Sequence, residues 1–457
     1  MKQDENLIGS EGREQWGSRF GFIMAAAGSA IGLGNIWKFP YIAGNNGGGA
    51  FVLAYLVILF SIAVPVLLAE MTIGRHGQKN PVGAFKALAK NQSWKWVGAM
   101  GVISGFLILA FYSVVAGWTL SYIAKSVTGS LVGLDPKELE GSFVAVLTGS
   151  FEPIFWHLVV MVSTVAIVIG GVQAGIERWS KILMPALFVI IILLVFRSVT
   201  LEGAMAGVSF YLKPDFSELT GKGILEALGH SFFTLSLGMG TMITYGSYLS
   251  KKEKLPQAVA SVALMDTGIA LLAGLAIFPA VFAFGLAPDK GPGLVFITLP
   301  AVFNQMPLGQ LFSALFFGLL AVAALTSAIS MLEVVVAYFV DEQKWSRMKA
   351  SIFSGAVIFV LGVPAAMANG PLAEFTIFGR NYFDFLDYIT ATIMLPLGGL
   401  LTCIFLGYVW GADKALKEVT NDNTIQFKLA TVWISLLKYA APVGIILVLA
   451  KGLGIFD

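Results

Sequence analysis

Long apolar runs recur along the whole chain, and most of them are long enough to cross a lipid bilayer. A transmembrane helix needs roughly 20 predominantly apolar residues. Of the 457 residues, 57% are hydrophobic and only 12% are charged. A soluble domain would carry about 25% charged residues. The runs also lack the alternating hydrophobicity of a membrane β-barrel. We therefore predict an all-α polytopic membrane protein with a single transmembrane domain over residues 1–457.

Eleven of these runs are predicted to span the membrane as helices, and two of them are longer than a bilayer requires. The two long runs, at 97–128 and 309–340, must tilt or project beyond the membrane. The predicted spans lie near 19–43, 50–74, 97–128, 154–171, 178–198, 228–249, 257–285, 309–340, 349–367, 383–409 and 427–450.

The lysine and arginine residues in the connections predict the orientation of the chain. If the N-terminus is cytoplasmic, 19 of the 29 basic residues lie on the cytoplasmic side and nine lie on or near the outer side. Cytoplasmic connections carry the excess of basic residues in membrane proteins. We therefore expect a cytoplasmic N-terminus and, with eleven spans, a C-terminus outside.

Two predicted spans are interrupted by glycines at matching places. Gly32 and Gly34 interrupt the first span, and Gly238 and Gly240 interrupt the sixth. Such paired interruptions are the best sequence pointer to the central site of a secondary transporter. They predict two inverted repeats, about 13–200 and 225–410, with an extra helix at about 427–450. The alternative is that these glycines only allow close helix packing.

Unwound backbone inside a membrane has to be satisfied by a partner. Each unpaired peptide group costs several kcal/mol in lipid. Free carbonyl oxygens suit a hard cation, and the amide ends of half-helices favour a carboxylate. A zwitterionic amino acid bound together with Na⁺ meets both requirements.

Several motifs closely resemble those of the neurotransmitter:sodium symporter family. They are "GSAIGLGNIWKFP", "NNGGGAF", "FFTLSLGMG" and "LTSAIS", and the likeness runs from about Arg13 to the end of the tenth span. It is strongest to bacterial members that carry several hydrophobic amino acids and have eleven spans. The resemblance implies helices 1 and 6 broken at mid-membrane, a bacterial inner (cell) membrane location, and symport of amino acids with Na⁺.

The resemblance implies two sodium sites built from oxygen atoms. The first would use Ala30, Asn35, Thr234, Asp266 and the carboxylate of the substrate. The second would use Gly28, Ile31, Ala323, Thr326 and Ser327. A Thr-Ser pair within a span is otherwise more often bonded to its own helix backbone.

Asp266 is a departure from many family members, which have Asn at this position. Chloride-dependent members need an anion nearby, whereas bacterial members supply a carboxylate from the protein. The leucine transporter places its glutamate where this chain has Ala270. A charge at mid-membrane needs a partner, so Asp266 predicts transport that depends on Na⁺ and not on chloride.

The same resemblance implies a pocket for a hydrophobic L-amino acid. Its members would be Ser29, Ala30, Leu33, Gly34, Ile108, Tyr112, Phe232, Phe233, Ser236, Met239, Ser327 and Met331. Ser29 is not acidic, which favours an α-amino acid over an amine without a carboxylate. Methionine is flexible, so Met239 and Met331 predict room for aromatic as well as aliphatic side chains, unless they are ordinary filler.

Gates are expected on both sides of this pocket. The outer gate would be Lys38 with Asp387, above a lid of Tyr112 and Phe233. The inner gate would be Arg13 with Asp341, supported by Trp16 and Tyr248. Each of these charges could instead be an interfacial anchor. Glu70 would accept backbone amides of the broken sixth helix.

Other classes of function are disfavoured by the composition. A net charge of +2 argues against a nucleic-acid partner, and we find no nucleophile-base set, phosphate loop or metal cluster that would indicate an enzyme. The alternatives that remain are a proton-coupled or uncoupled carrier of the same fold and a membrane sensor that binds amino acids. The partners expected are the substrate and the lipid bilayer, and the oligomeric state is not predicted.

Overall fold

A computed structural model describes residues 14–286, 288 and 293–455, and this part of the chain is mostly helical. Within it, nine helices are long and apolar enough to cross a membrane. These helices are Gly49–Gly77, Gln92–Thr128, Glu152–Ile169, Val172–Val199, Leu255–Ala283, Gly309–Gln343, Arg347–Ala366, Tyr382–Val419 and Ala430–Gly452. The architecture agrees with the predicted all-α class.

Two further stretches form helix pairs with a gap between their parts. The first helix pair is Arg19–Ala30 and Gly34–Asn45, which bend by 48° at the gap and together are long and apolar enough to span a membrane. The second helix pair is Gly221–Thr234 and Thr241–Ser247. The Ser18 hydroxyl accepts a hydrogen bond from a first-turn amide and so caps the start of the first pair.

The nine helices and the first helix pair coincide with ten of the eleven predicted spans. The remaining prediction, 228–249, falls on the second helix pair, whose parts have 14 and 7 residues. Neither part alone is long enough to cross a bilayer. The count of eleven spans therefore stays a prediction, as do the inverted repeats.

Short elements lie in the connections between the long helices. Pro136–Thr148 begins with a capping box, in which Asp135 and Glu138 bond each other's backbone amides. The two strands Thr376–Ile377 and Arg380–Asn381 form an antiparallel hairpin. The other short helices are Pro81–Leu88, Ala204–Leu212 and Leu294–Asn304.

The two longest apolar helices occupy the centre of the bundle. Gln92–Thr128 and Gly309–Gln343 pack against each other. In the apolar 18-residue stretch of each helix, 72% and 83% of the residues, respectively, are buried inside the protein. Helices on the outside of the bundle are buried much less, for example 28% for Ala430–Gly452. The centre is therefore where side chains of several elements can converge.

Arg75 ties the end of Gly49–Gly77 to the connection that follows the second helix pair. Its guanidinium is fully buried and donates to Glu418 Oε1 at 2.6 Å and to the Glu253 carbonyl oxygen at 2.8 Å. Gln78 Nε2 donates to the Leu249 carbonyl oxygen at 3.0 Å. Removing one partner of a buried ion pair costs about 3–5 kcal/mol, so the Arg75–Glu418 pair also fixes Gly49–Gly77 to Tyr382–Val419.

Candidate functional site

The gap in the first helix pair is held open by side chains of its neighbours. Helix ends leave amides and carbonyls without helical partners. The Gly32 N–H donates to Asn35 Oδ1 at 3.0 Å, and the Leu33 N–H donates to the Tyr112 hydroxyl oxygen at 3.2 Å. A Cβ on Gly32 would lie 2.5 Å from Ser327 Oγ. The gap therefore requires glycine here because the neighbouring helices approach so closely.

The gap in the second helix pair contains backbone that only glycine adopts readily. Gly238 has φ of 78°, and a Cβ there would also lie 2.2 Å from the Leu395 carbonyl oxygen. Its N–H donates to Glu70 Oε1 at 2.7 Å. Glu70 is fully buried on Gly49–Gly77, so a side chain from another helix replaces the lost helical bond.

Three side chains meet between the two gaps and leave one oxygen unpaired. Asp266 Oδ1 accepts hydrogen bonds from Asn35 Nδ2 at 2.8 Å and from Thr234 Oγ1 at 3.0 Å. Asp266 Oδ2 is buried and has no hydrogen-bond donor. Ala30, the other predicted ligand, is the last residue of its helix. Buried polar atoms are almost always paired, and an all-oxygen set suits a hard cation.

The second predicted sodium set gathers where Gly309–Gln343 meets the first helix pair. Ser327 Oγ donates to the Gly28 carbonyl oxygen at 3.4 Å, and Thr326 Oγ1 donates to the Ala323 carbonyl oxygen at 3.0 Å. A Cβ on Gly28 would be 3.2 Å from Thr326 Cβ, so these residues are in contact. Ile31 follows directly after the end of the helix.

A small central cavity lies between the two gaps. Its volume is about 20 Å³, which holds about one water molecule. Ten of the twelve predicted substrate residues line it, together with Gly32 and Thr234. The ten are Ser29, Ala30, Gly34, Ile108, Tyr112, Phe233, Ser236, Met239, Ser327 and Met331. An amino acid enters only if some of these side chains move, and the two methionines are the most adaptable.

The two remaining predicted residues lie elsewhere. Leu33 lines a separate outer cavity. Phe232 turns its ring toward Gly399, where a Cβ would come within 2.3 Å of it, and its carbonyl oxygen accepts from the Leu237 N–H at 3.0 Å. This carbonyl is therefore already hydrogen-bonded within the chain.

Ser330 is a site residue that the sequence analysis missed. Ser29 Oγ lies 2.8 Å from Ser330 Oγ and 3.4 Å from Ser236 Oγ. The Ser236 hydroxyl in turn donates to the Ser29 carbonyl oxygen at 2.9 Å. The signal was available, because Ser330 follows Ser327 by three residues and so shares its helix face.

An outer cavity of about 190 Å³ lies beside the central one. Tyr112 and Phe233 line both cavities and so separate them. Lys38 and Asp387 line the outer cavity together. The Lys38 ammonium lies 4.8 Å from the centroid of the Phe233 ring, so the predicted outer gate residue contacts the predicted lid.

On the side of the central cavity opposite Lys38 and Asp387, aromatic and charged side chains pack together and bond to one another. The indole Nε1 of Trp16 donates to the Tyr245 carbonyl oxygen at 3.0 Å. The backbone N–H of Trp16 donates to the Tyr248 carbonyl oxygen at 3.2 Å. The Tyr248 hydroxyl donates to Glu333 Oε1 at 2.5 Å, and Glu333 also pairs with Arg347. These contacts link the first helix pair to the second and to Gly309–Gln343.

The predicted inner ion pair is only partly visible. Arg13 lies outside the described residues. Asp341 Oδ2 accepts from the Asn80 N–H at 2.7 Å and makes further interactions. Glu177, which the sequence analysis did not single out, accepts from the Gly17 N–H at 2.7 Å and the Ser18 hydroxyl at 2.8 Å. This carboxylate fixes the chain just before the first helix pair.

A polar site between interrupted helices, at the centre of a bundle of membrane-length helices, is typical of secondary transporters. The comparisons agree: the chain belongs to the sodium:neurotransmitter symporter family, whose profile matches residues 13–135 and 148–456. The protein is therefore a multi-pass, sodium-dependent membrane transporter and not an enzyme.

Individual relatives match nearly the whole chain. A sodium-dependent transporter of Bacillus subtilis, YhdH, is 45% identical over 97% of this chain and 98% of its own length. A sodium-dependent transporter of Haemophilus influenzae is 39% identical over 96% and 98%. Among solved structures, MhsT in complex with L-phenylalanine superposes with a TM-score of 0.89 at 48% identity, covering 96% of this chain and 100% of MhsT.

Proposed function

We propose that the protein is a symporter that uses Na⁺ to import hydrophobic L-amino acids, both aliphatic and aromatic, by alternating access and without chloride. The observation that carries this proposal is the buried carboxylate oxygen Oδ2 of Asp266, which has no hydrogen-bond donor while Oδ1 of the same carboxylate accepts from Asn35 Nδ2 and Thr234 Oγ1. A cation at this oxygen would compensate a negative charge that is otherwise costly inside a membrane.

The substrate class follows from the two ends of the central cavity. At one end, the Tyr112 hydroxyl and the backbone amides around Gly34 would hold a carboxylate. The Ser236 hydroxyl lies where an ammonium group would be bound. The other end is apolar, with Ile108, Met239 and other side chains. MhsT, which shares 48% of its sequence, has been solved with L-phenylalanine, which supports an aromatic substrate here.

Two Na⁺ ions are proposed, one at each oxygen set. The substrate carboxylate would complete the first set, so each ligand binds more tightly when the other is present. Two positive charges moving with a neutral zwitterion through a potential of 100 mV would supply about 4.6 kcal/mol. This work, together with the sodium gradient, would drive accumulation of the amino acid.

Alternating access would use the two closures on either side of the cavity. Tyr112 and Phe233 would separate to open the outer side, with Lys38 and Asp387 above them. The contacts of Trp16 would break to open the inner side. We propose that the protein lies in a bacterial cell membrane with its N-terminus cytoplasmic and its C-terminus outside, and that each helix pair is one interrupted span of eleven.

Uptake of labelled leucine and phenylalanine into proteoliposomes tests the proposal. We expect accumulation with an inward Na⁺ gradient and none when K⁺ replaces Na⁺. Saturable binding without uptake would identify a sensor instead. Uptake driven by a proton gradient in the absence of Na⁺ would identify a proton-coupled carrier.

Replacing chloride by gluconate tests the role given to Asp266. We expect the initial rate of uptake to stay the same, because the protein supplies its own negative charge at the first ion. A loss of uptake in gluconate would refute chloride independence while leaving sodium coupling intact.

A further inference from the structure

An apolar groove runs along the outside of the bundle and shares no lining residue with the central cavity. It lies between Gly49–Gly77, Leu255–Ala283 and the start of Ala430–Gly452, and it encloses about 390 Å³. Trp433 forms its floor, with Nε1 donating to the Pro65 carbonyl oxygen at 3.0 Å. Side chains on its walls include Phe60, Leu68, Val259, Leu264, Val432 and Leu436.

The groove faces the hydrocarbon of the membrane. Leu264 is 62% exposed and Val432 is 52% exposed on the surface of a helix that spans the membrane. A helix surrounded by other helices would bury apolar side chains such as these, so their exposure indicates a surface that faces lipid. A recess of this size cannot stay empty beside fluid hydrocarbon, because its walls would lose their van der Waals contacts. Its occupant is therefore apolar over most of its length.

The depth of the groove corresponds to one leaflet. Its wall on Leu255–Ala283 runs from Pro256 to Leu264, beginning at the second residue of that helix. At 1.5 Å per residue this is a depth of about 12 Å, close to half of the roughly 30 Å hydrocarbon core. The groove thus starts at one membrane surface and ends near the midplane.

Lysines surround the end of the groove that meets this membrane surface. Lys254 directly precedes the helix that forms one wall, and Lys428 lies between two residues of the opposite wall. Both side chains are exposed, as are those of Lys251 and Lys252. The acidic residues nearest to these lysines in the sequence are Glu253, which lies 3.8 Å from Arg19, and Asp422, which is exposed, so lysines and Arg19 outnumber them. The mouth of the groove is therefore positively charged.

We propose that this groove binds one acyl chain of an anionic phospholipid, whose phosphate is held by Lys254 and Lys428. The apolar walls match the chain, the depth matches one leaflet, and the lysines attract negative lipid headgroups at the surface. A neutral phospholipid would leave the lysines without their partner. A second protein helix would need a wider surface than a slot between three helices.

Native mass spectrometry of the delipidated full chain in detergent tests the headgroup. Phosphatidylglycerol and phosphatidylcholine with identical acyl chains serve as probes. We expect phosphatidylglycerol to be retained at least fivefold more than phosphatidylcholine, and the difference to vanish in Lys254→Gln/Lys428→Gln. The matched control is Lys86→Gln/Lys90→Gln, which removes two exposed lysines elsewhere. Equal retention of the two lipids by the unmodified chain would overturn the proposal.

A second arm tests the groove itself. Ala260→Phe places a ring in the recess, whereas the control Ala166→Phe places one on an exposed helix face outside it. We expect retention of phosphatidylglycerol to fall at least fivefold in the first variant and to stay unchanged in the second. Unchanged retention of phosphatidylglycerol in Ala260→Phe would overturn the assignment to this groove. A dimer of the unmodified chain without bound lipid, seen as a doubled mass, would overturn it as well.

Fluorescence gives an independent readout in the unmodified chain. Phosphatidylglycerol with brominated acyl chains quenches tryptophans that it touches. We expect quenching in excess of that given by brominated phosphatidylcholine, and we expect this excess to disappear in Trp433→Phe. An excess that persists without Trp433 would place the lipid at another tryptophan and refute the proposed site.

Discussion

Asp266 determines how the polar centre of this protein has to be filled. One carboxylate oxygen is hydrogen-bonded by Asn35 and Thr234, and the other is buried without a donor. Sequence reasoning could single out this residue because an acid replaces the Asn of many family members. It could not tell that only one of the two oxygens is paired, since that depends on three separate helices.

Replacing Asp266→Asn should weaken sodium binding, because the neutral amide attracts a cation less strongly. We expect the sodium concentration that half-saturates uptake to rise at least about tenfold, which corresponds to about 1.4 kcal/mol. The measurement is the initial rate of leucine uptake against Na⁺ concentration. Asp215→Asn, which changes an exposed acid in a connection, is the control. An unaltered half-saturation would contradict the role of the carboxylate.

Met239→Phe should narrow the apolar end of the cavity without removing any hydrogen bond. We expect tryptophan to compete about tenfold less well against labelled leucine uptake, while unlabelled leucine competes as before. A stiff ring cannot adapt as methionine does. Competition curves for the two amino acids, measured in the variant and in the unmodified chain, check this. If the two amino acids are affected equally, Met239 does not select for size.

At the scale of elements, the two glycine pairs lie in or directly beside the gaps of the two helix pairs, and the interruption of two membrane spans stays a prediction. The gaps follow from backbone geometry that glycine allows, and from neighbours such as Tyr112 and Glu70 that bond the freed amides. The orientation of individual side chains next to the gaps was harder to predict. Leu33 and Phe232 do not line the central cavity. Leu33 lies in the gap, where helical periodicity no longer applies, and the Phe232 ring packs toward Gly399.

Gly32→Ala should disrupt the gap of the first helix pair. Its Cβ would meet Ser327 Oγ at 2.5 Å and the Tyr112 hydroxyl oxygen at 2.8 Å, whereas Gly268 has open space around it. We expect Gly32→Ala to abolish sodium-dependent uptake and Gly268→Ala to retain it. Thermal unfolding in detergent distinguishes a folded, inactive variant from a misfolded one. Full uptake by Gly32→Ala would show that the close approach is not required.

At the scale of the whole molecule, the sequence correctly predicted a helical membrane transporter. The interactions of Trp16, Glu177 and Arg347, on the side of the bundle opposite the Lys38 cavity, were predicted less well. Glu177 and Arg347 bind partners more than a hundred residues away in the sequence. A short sequence motif cannot predict contacts between such distant residues. The orientation deduced from the charge bias is a property of the whole chain and stays a prediction.

Labelling of single cysteines by a thiol reagent that cannot cross membranes tests that orientation. The starting variant is Cys403→Ser, which removes a buried thiol. In intact cells we expect Phe378→Cys, in the exposed hairpin turn, to be labelled. Lys86→Cys should react only after the cells are permeabilised. The opposite pattern would reverse the orientation deduced from the lysine and arginine bias.

The buried contacts of Arg75, Gln78 and Glu70 have a practical consequence for spectroscopy. Glu70 and Arg75 belong to Gly49–Gly77 and Gln78 follows it directly, and each bonds backbone in or shortly after the second helix pair. A spin label on each of these elements should report the same separation throughout a transport cycle. This constant separation would serve as an internal reference distance for measuring displacements of the first helix pair.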